Sequence, residues 1–229
     1  MSATLRLALL PDELAQGLIA FDRLPSRWLH PTRAQAQRTP VLAALWQAAG
    51  DDATAQASLH RHWSAALLGV LRLAPVDRWD DPALPLAILP EASWQALLRL
   101  AGASLLGPRI RMVIEREARQ TLLQHIGEAA WRHALQDTPP LPGAPSGLHV
   151  PLAELGPLCV AWGEAVLWRA LQPASDAVRE RARLRMPEAT GPLAERTLRA
   201  VPPEAALPWA LSLIPLVEPT WLSSFPVTH

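Results

Sequence analysis

Lysine and tyrosine are absent from this 229-residue chain, cysteine occurs once, and 21 basic residues balance 21 acidic ones. Zero net charge leaves no global field to gather nucleic acid or an anionic membrane, so neither is expected as a partner. A single thiol, Cys159, excludes an intrachain disulfide and suits a reducing compartment. No charge-free apolar run approaches the roughly 18 residues of a membrane-spanning helix. The nearest, from Ala205 to Val217, is interrupted by Pro208 and Pro215, so no membrane insertion is expected. The opening Leu5-Arg6-Leu7-Ala8-Leu9-Leu10 is too short and too interrupted for the apolar part of a signal peptide, which predicts a cytoplasmic protein.

Familiar chemical signatures are missing too. There is no Gly-rich phosphate loop, no Gly-x-Ser-x-Gly elbow and no His-Glu-x-x-His pair. His60-Arg61-His62 resembles a metal pair, yet residues two apart on a helix point to nearly opposite sides, so the two read as surface histidines. Cys159 lies between Leu158 and Val160, a setting that raises a thiol pKa and suits a buried structural residue. Asp77, Asp80 and Asp81 could work as an acid and base, but Trp79-Asp80-Asp81-Pro82 reads as turn and cap chemistry. No catalytic, metal or cofactor residue is assigned.

What is abundant is apolar side chains and proline. Half the residues are hydrophobic, enough for a large core, and the 24 prolines punctuate short elements rather than form a disordered tract. Apolar positions recur at helical spacing and nowhere alternate as in a sheet, which predicts an all-α fold: one compact, irregular helical domain over 1–229 with Pro-rich connectors. Helix starts are expected at Pro11 with Asp12-Glu13, at Pro40, near Asp51-Asp52 and near Pro90-Glu91. The segment from Ala74 to Leu89, with Pro75, Pro82 and Pro85, reads as an ordered connector.

In the central block Trp94, Leu97, Leu98, Ala101 and Leu105 share a face, and Gly107-Pro108 should stop one helix and start another. The successor would carry Ile110, Val113, Ile114, Ala118, Leu122 and Ile126 inward. Arg111, Glu115 and Arg119 would form an outer ladder, and Glu128 would pair with Arg132. Asp137 to Val150, rich in proline, is the best candidate for a long loop or a joint between subdomains. The next helix is apolar nearly all round, with Trp162 and Trp168 as expected core anchors.

Two features suggest surfaces for other proteins. Arg179-Glu180-Arg181-Ala182-Arg183-Leu184-Arg185 reads as a helix, its alternation also fitting a strand. Its Arg179, Arg181, Arg183 and Arg185 form either a solvated face paired with Asp176 and Glu180 or a docking surface for an acidic partner. On the docking reading, their reversal to Glu should leave the fold intact but weaken capture of a partner, more so at low salt. Of the ten tryptophans, Trp209 and Trp221 lie in a Pro-broken tail where they are free to dock. The stretch from Thr39 to Leu98 holds three arginines and six carboxylates, a net of −3, so Asp51, Asp52, Asp80 and Asp81 are candidate contacts at an acidic end. The competing class is an all-α enzyme whose site gathers Asp80, Asp81, His60 and Glu115 from dispersed positions.

One family likeness runs through the chain. Leu24-Pro25-Ser26-Arg27-Trp28, then Leu98-Arg99-Leu100 through Gly107 and Ile110-Arg111, then Ala165 to Leu171 with Arg183-Leu184-Arg185-Met186-Pro187 occur in that order. In these blocks the sequence resembles the SctK family of type III secretion proteins, which includes YscK and PscK. The resemblance implies a non-enzymatic cytoplasmic adaptor of the injectisome's sorting platform. It would link an SctD-like inner-membrane ring protein, through its cytoplasmic domain, to pods built from an SctQ-like protein, with an SctL-like stator reached only indirectly.

Overall fold

Prolines open helices here more often than they break them. Pro31, Pro40 and Pro203 each occupy the first turn, where a missing N–H costs nothing, and Pro11 and Pro90 cap the helices that follow them. The computed structural model describes residues 11–77, 79–136, 139–145 and 150–225. Among these there are twelve α-helices and no strand, so the fold is all-α. None of the helices is long and apolar enough to cross a membrane. The opening Leu5–Leu10 stretch, Arg78, and positions 137–138 and 146–149 of the Pro-rich segment lie outside the described residues.

The chain forms two compact units, each built from discontinuous segments. The first takes the described residues up to Ile88, then Ala174–Glu188, and the end from Ser224. Its helices are α1 (Asp12–Arg23), α2 (Pro31–Gln37), α3 (Pro40–Ala49), α4 (Ala53–Val70), the single turn α5 (Leu84–Ala87) and, from the later segment, a helix over Asp176–Arg183. The expected starts at Pro11, Pro40, Asp52 and Pro90 are all present. Thr39 Oγ1 accepts from Leu42 N, and Asp52 Oδ1 accepts from Thr54 N and Ala55 N. Leu14, Leu18 and Phe21 of α1 are buried, as are Trp63 and Leu67 of α4. The connector from Ala74 to Leu89 is core material as well: Val76, Ala83, Leu84, Leu86, Ala87, Ile88 and Leu89 are all buried.

The second unit comprises Leu89–Pro173 and Ala189–Ser223. It contains α6 (Glu91–Leu105), α7 (Gly107–Ile110), α8 (Arg116–Ala134) and α9 (Leu155–Ala170). With the first unit's Asp176–Arg183 helix as α10, it is completed by α11 (Thr190–Thr197) and α12 (Pro203–Val217). Helix α9 is its centre, packing on α6, α8, α11 and α12, as its apolar circumference predicts. The crossing with α6 is unusually close. A Cβ on Gly102 would lie 1.6 Å from Cys159 O, and one on Gly163 would lie 1.9 Å from Leu98 O, so backbone meets backbone at two points one turn apart. Trp162 is buried as expected, whereas Trp168 is only half-buried.

Several local expectations are corrected. The helix break at Gly107-Pro108 is present, but α7 is a single turn, and residues 111–115 lead into α8. Val113 therefore turns inward while Ile114 is 93 % exposed. The Arg111–Glu115–Arg119 ladder does not form: Arg111 Nη1 donates to Ala134 O at 2.9 Å, capping the end of α8, and Arg119 stacks on Trp131. Glu128 and Arg132 do pair, at 2.6 Å. Helix α8 kinks at Gly127, whose φ of 79° and ψ of 164° are non-helical. The described part of the Pro-rich stretch, residues 139–145, is non-helical, as a long loop requires, and lies within the second unit, with Leu141 buried. Helix α12 runs through Pro208 and Pro215, so the tail expected to be Pro-broken is helical as far as Val217.

The α6–α9 crossing sets a stability test. Gly163→Val should force these two backbones apart and cost about 3 kcal/mol, read as a drop in melting temperature. An unchanged transition would mean that the crossing tolerates a side chain.

Candidate partner-binding surfaces

The arginine run is helical over Asp176–Arg183 and then turns, so its four guanidiniums part company. Arg179 and Arg183 face outward, paired with Asp176 and, at 3.3 Å, with Glu180. Arg181 and Arg185 face inward and are 2 % and 3 % exposed. This contradicts the reading of all four as a surface, because positions 181 and 185 lie on the same side as the buried Val178 and Ala182.

The buried pair serves the fold. Arg181 Nη1 donates to Ala74 O at 2.5 Å and to Ala177 O at 3.1 Å, while Nη2 reaches Asp22 O at 3.2 Å and pairs with Asp22 Oδ1 at 3.1 Å. Burial pushes Arg181 below its ordinary pKa, and the Asp22 carboxylate opposes that shift. Asp22 Oδ1 also accepts from Val76 N at 2.9 Å. Arg185 Nη1 donates to Ala87 O at 2.9 Å, and its guanidinium lies 4.7 Å from the Trp28 ring centroid. Arg33, also buried, donates from Nε to Met186 O at 2.5 Å. Nothing in the sequence separated these internal arginines from the exposed ones except the apolar register of Val178 and Ala182.

Among the acidic candidates, Asp51 is exposed and Asp52 caps α4. Asp80 is exposed, whereas Asp81 is buried and accepts from Ala83 N at 2.9 Å and Ser175 N at 2.7 Å, which makes it a structural clasp. The cap reading of this aspartate is the one the geometry supports. Trp209 is not a free tail residue: it sits on α12, half-buried, with Nε1 donating to Pro139 O at 3.4 Å. Trp221 is half-buried in the turn after α12, its N–H donating to Glu218 O.

Of the groups weighed for catalysis, Asp81 and His60 have structural partners. His60 is half-buried rather than a plain surface residue; its Nδ1 lies 2.8 Å from Ser26 Oγ, and its ring stands edge-on to Trp46. Glu115 belongs to the second unit, Asp80, Asp81 and His60 to the first. Cys159 is fully buried and its thiol is pushed up to about 12 by that burial. Among the described residues no three His, Cys, Asp or Glu side chains gather as a metal site.

Two surfaces had no signal in the motifs. In the second unit a groove of 310 Å³ runs past the Gly127 kink, between α6, α8 and the end of α12. Leu100, Ile126 and Leu216 line it, Arg99 stands at its edge, and the buried His133 offers an Nε2 that has no partner among the described residues. Burial lowers the His133 pKa, favouring the neutral ring. In the first unit, α3 is apolar except for Gln47 and buries no residue at all. No protein-family model, curated protein or solved structure matches this chain.

These assignments separate the arginines experimentally. Arg181→Met strands the buried Asp22 carboxylate without its inner cation and should cost about 3 kcal/mol, while Arg183→Ala should stay within about 0.5 kcal/mol of the parent. Chemical denaturation of both variants checks the contrast.

A second test uses Glu164. Burial raises its carboxyl pKa from 4.5 to about 7, with Thr190 Oγ1 donating to it at 3.3 Å. The folded state then holds a proton that the unfolded chain releases, so stability should fall as pH rises from about 4.5 to 7. Glu164→Gln should flatten that slope and melt higher than the parent at pH 8. Identical pH profiles for the two proteins would contradict the assignment.

Proposed function

We propose that this chain is a non-enzymatic adaptor of the SctK type, working at the cytoplasmic face of a bacterial inner membrane as part of an injectisome's sorting platform. The observation that carries the reading is the ordered set of blocks that resemble that family, joined to where those blocks fall. Leu24–Trp28 and Arg183–Pro187 are distant in sequence, yet Arg185 stacks on Trp28, and His30 N, just beyond the first block, donates to Leu184 O at 2.8 Å. The blocks around Leu98 and Ala165 lie on α6 and α9, the two helices that cross at Gly102 and Gly163.

In this role the chain bridges an SctD-like ring protein, through its cytoplasmic domain, and SctQ-like pods, with the SctL-like stator lying beyond the pods. Repeated copies around a ring would let modest individual contacts hold together while single subunits exchange. Co-expression of the full chain with the SctQ-like protein and, separately, with the cytoplasmic domain of the SctD-like protein should give co-purification with at least one. Retention of neither, by a chain with a cooperative melting transition, would end the adaptor reading.

A further inference from the structure

Helix α3 is anomalous for a surface helix. Its sequence, Pro40-Val41-Leu42-Ala43-Ala44-Leu45-Trp46-Gln47-Ala48-Ala49, holds no charge. A ten-residue amphipathic helix lying on a core ordinarily hides one stripe and shows a polar one. Here both stripes are apolar. Leu42, Trp46 and Ala49 are half-covered, and Trp46 stands edge-on to Trp63 and His60 of α4. The other stripe, at i, i+4 and i+7, is bare: Val41 is 70 % exposed, Leu45 is 50 % exposed, and Ala44 and Ala48 are exposed between and beyond them.

The charges around this helix are uneven. Arg38 lies over the rings of both Trp46 and Trp63, 5.1 and 5.6 Å from their centroids, and is exposed. Arg27 is exposed as well, and both guanidiniums act on His60, adding to burial in lowering its pKa. Neither has an ion-pair partner among the described residues. The acids near α3, Asp51 and Asp52, follow its C-terminus, and Asp52 is committed to capping α4. Arg38 is thus placed on the Trp46–Trp63 side of the helix, and both cations lie near His60.

We propose that the bare face of α3 is a docking surface for an amphipathic helix of a partner protein, one whose apolar stripe is flanked by carboxylates that meet Arg27 and Arg38. A second copy of this chain fits less well, because it would bring the same two cations to the contact. A helix laid into the α3–α4 hairpin instead covers Val41 and Leu45 with matching anchors and neutralises the arginines. This inference rests on the adaptor reading and names the face that reading left open.

The test uses the full chain, co-expressed with the SctQ-like protein and, separately, with the cytoplasmic domain of the SctD-like protein. Val41→Asp/Leu45→Asp should melt like the parent and lose at least tenfold in retention of a partner that the parent retains. Ala44→Glu/Ala48→Glu, at exposed helical positions, gives the same readout should the first variant fail to fold. Arg27→Glu/Arg38→Glu should weaken retention severalfold, and retention by the parent should fall with added salt. Undiminished retention by the α3 variants overturns the surface and leaves the adaptor reading standing. Loss in the α3 variants with none in the charge variant overturns the acidic partner. A parent dimer in sedimentation that Val41→Asp/Leu45→Asp dissolves reassigns the face to a second copy and overturns the proposal. Retention of neither protein by the parent overturns it together with the adaptor reading.

Discussion

Guanidinium groups bonded to main-chain carbonyls hold the first unit together. Arg33, Arg181 and Arg185 are each buried, and each donates to a carbonyl far away in sequence: Met186, Ala74 and Ala87. Irregular connectors leave carbonyls that no helix satisfies, and an unsatisfied buried carbonyl costs about 1 to 3 kcal/mol. A planar group with five donors can serve several at once and still pair with a carboxylate such as Asp22. An ammonium offers three donors around a strongly hydrated point charge and would be more costly to bury. The absence of lysine fits a chain that uses its cations this way, although most of its arginines remain exposed.

The second unit relies on a different constraint. At the α6–α9 crossing Gly102 and Gly163 let backbones touch, and the surrounding Trp94, Leu97, Val166 and Leu167 are completely buried. The crossing fixes where α8, α11 and α12 can sit around α9. One unit is thus tied by polar bonds across loops, the other by the absence of two side chains at a helix contact.

Much of the helical layout was readable because its signals are local. Pro40 and Asp51-Asp52 announce helix starts that cap bonds from Thr39 and Asp52 then realise, and the apolar circumference of α9 announces its central place. What was not readable depends on partners distant in sequence. Arg181 and Arg183 look alike in the sequence; only the positions of Asp22 and Ala74 decide that one is inside. Asp80 and Asp81 differ because Ser175 N is brought to only one of them. The kink at Gly127 carries no proline or cap to mark it. The bareness of α3 was hidden for the opposite reason, since an uncharged apolar helix ordinarily reads as core. The functional reading comes from the order of sequence blocks.

The division of the first unit around the second has a consequence for how the protein is made. Asp22, Ala74 and Ala87 leave the ribosome well before α10, with all of residues 89–173 still to follow. At synthesis speeds of about 5 to 20 residues per second, that interval lasts roughly 4 to 17 s. Throughout it, the nascent first unit must keep Asp22 and its open carbonyls wet, and α9, the centre of the second unit, emerges only as the interval ends. The arginine segment therefore arrives as a late clasp, and the amino-terminal half of the chain is completed only after the middle has been made.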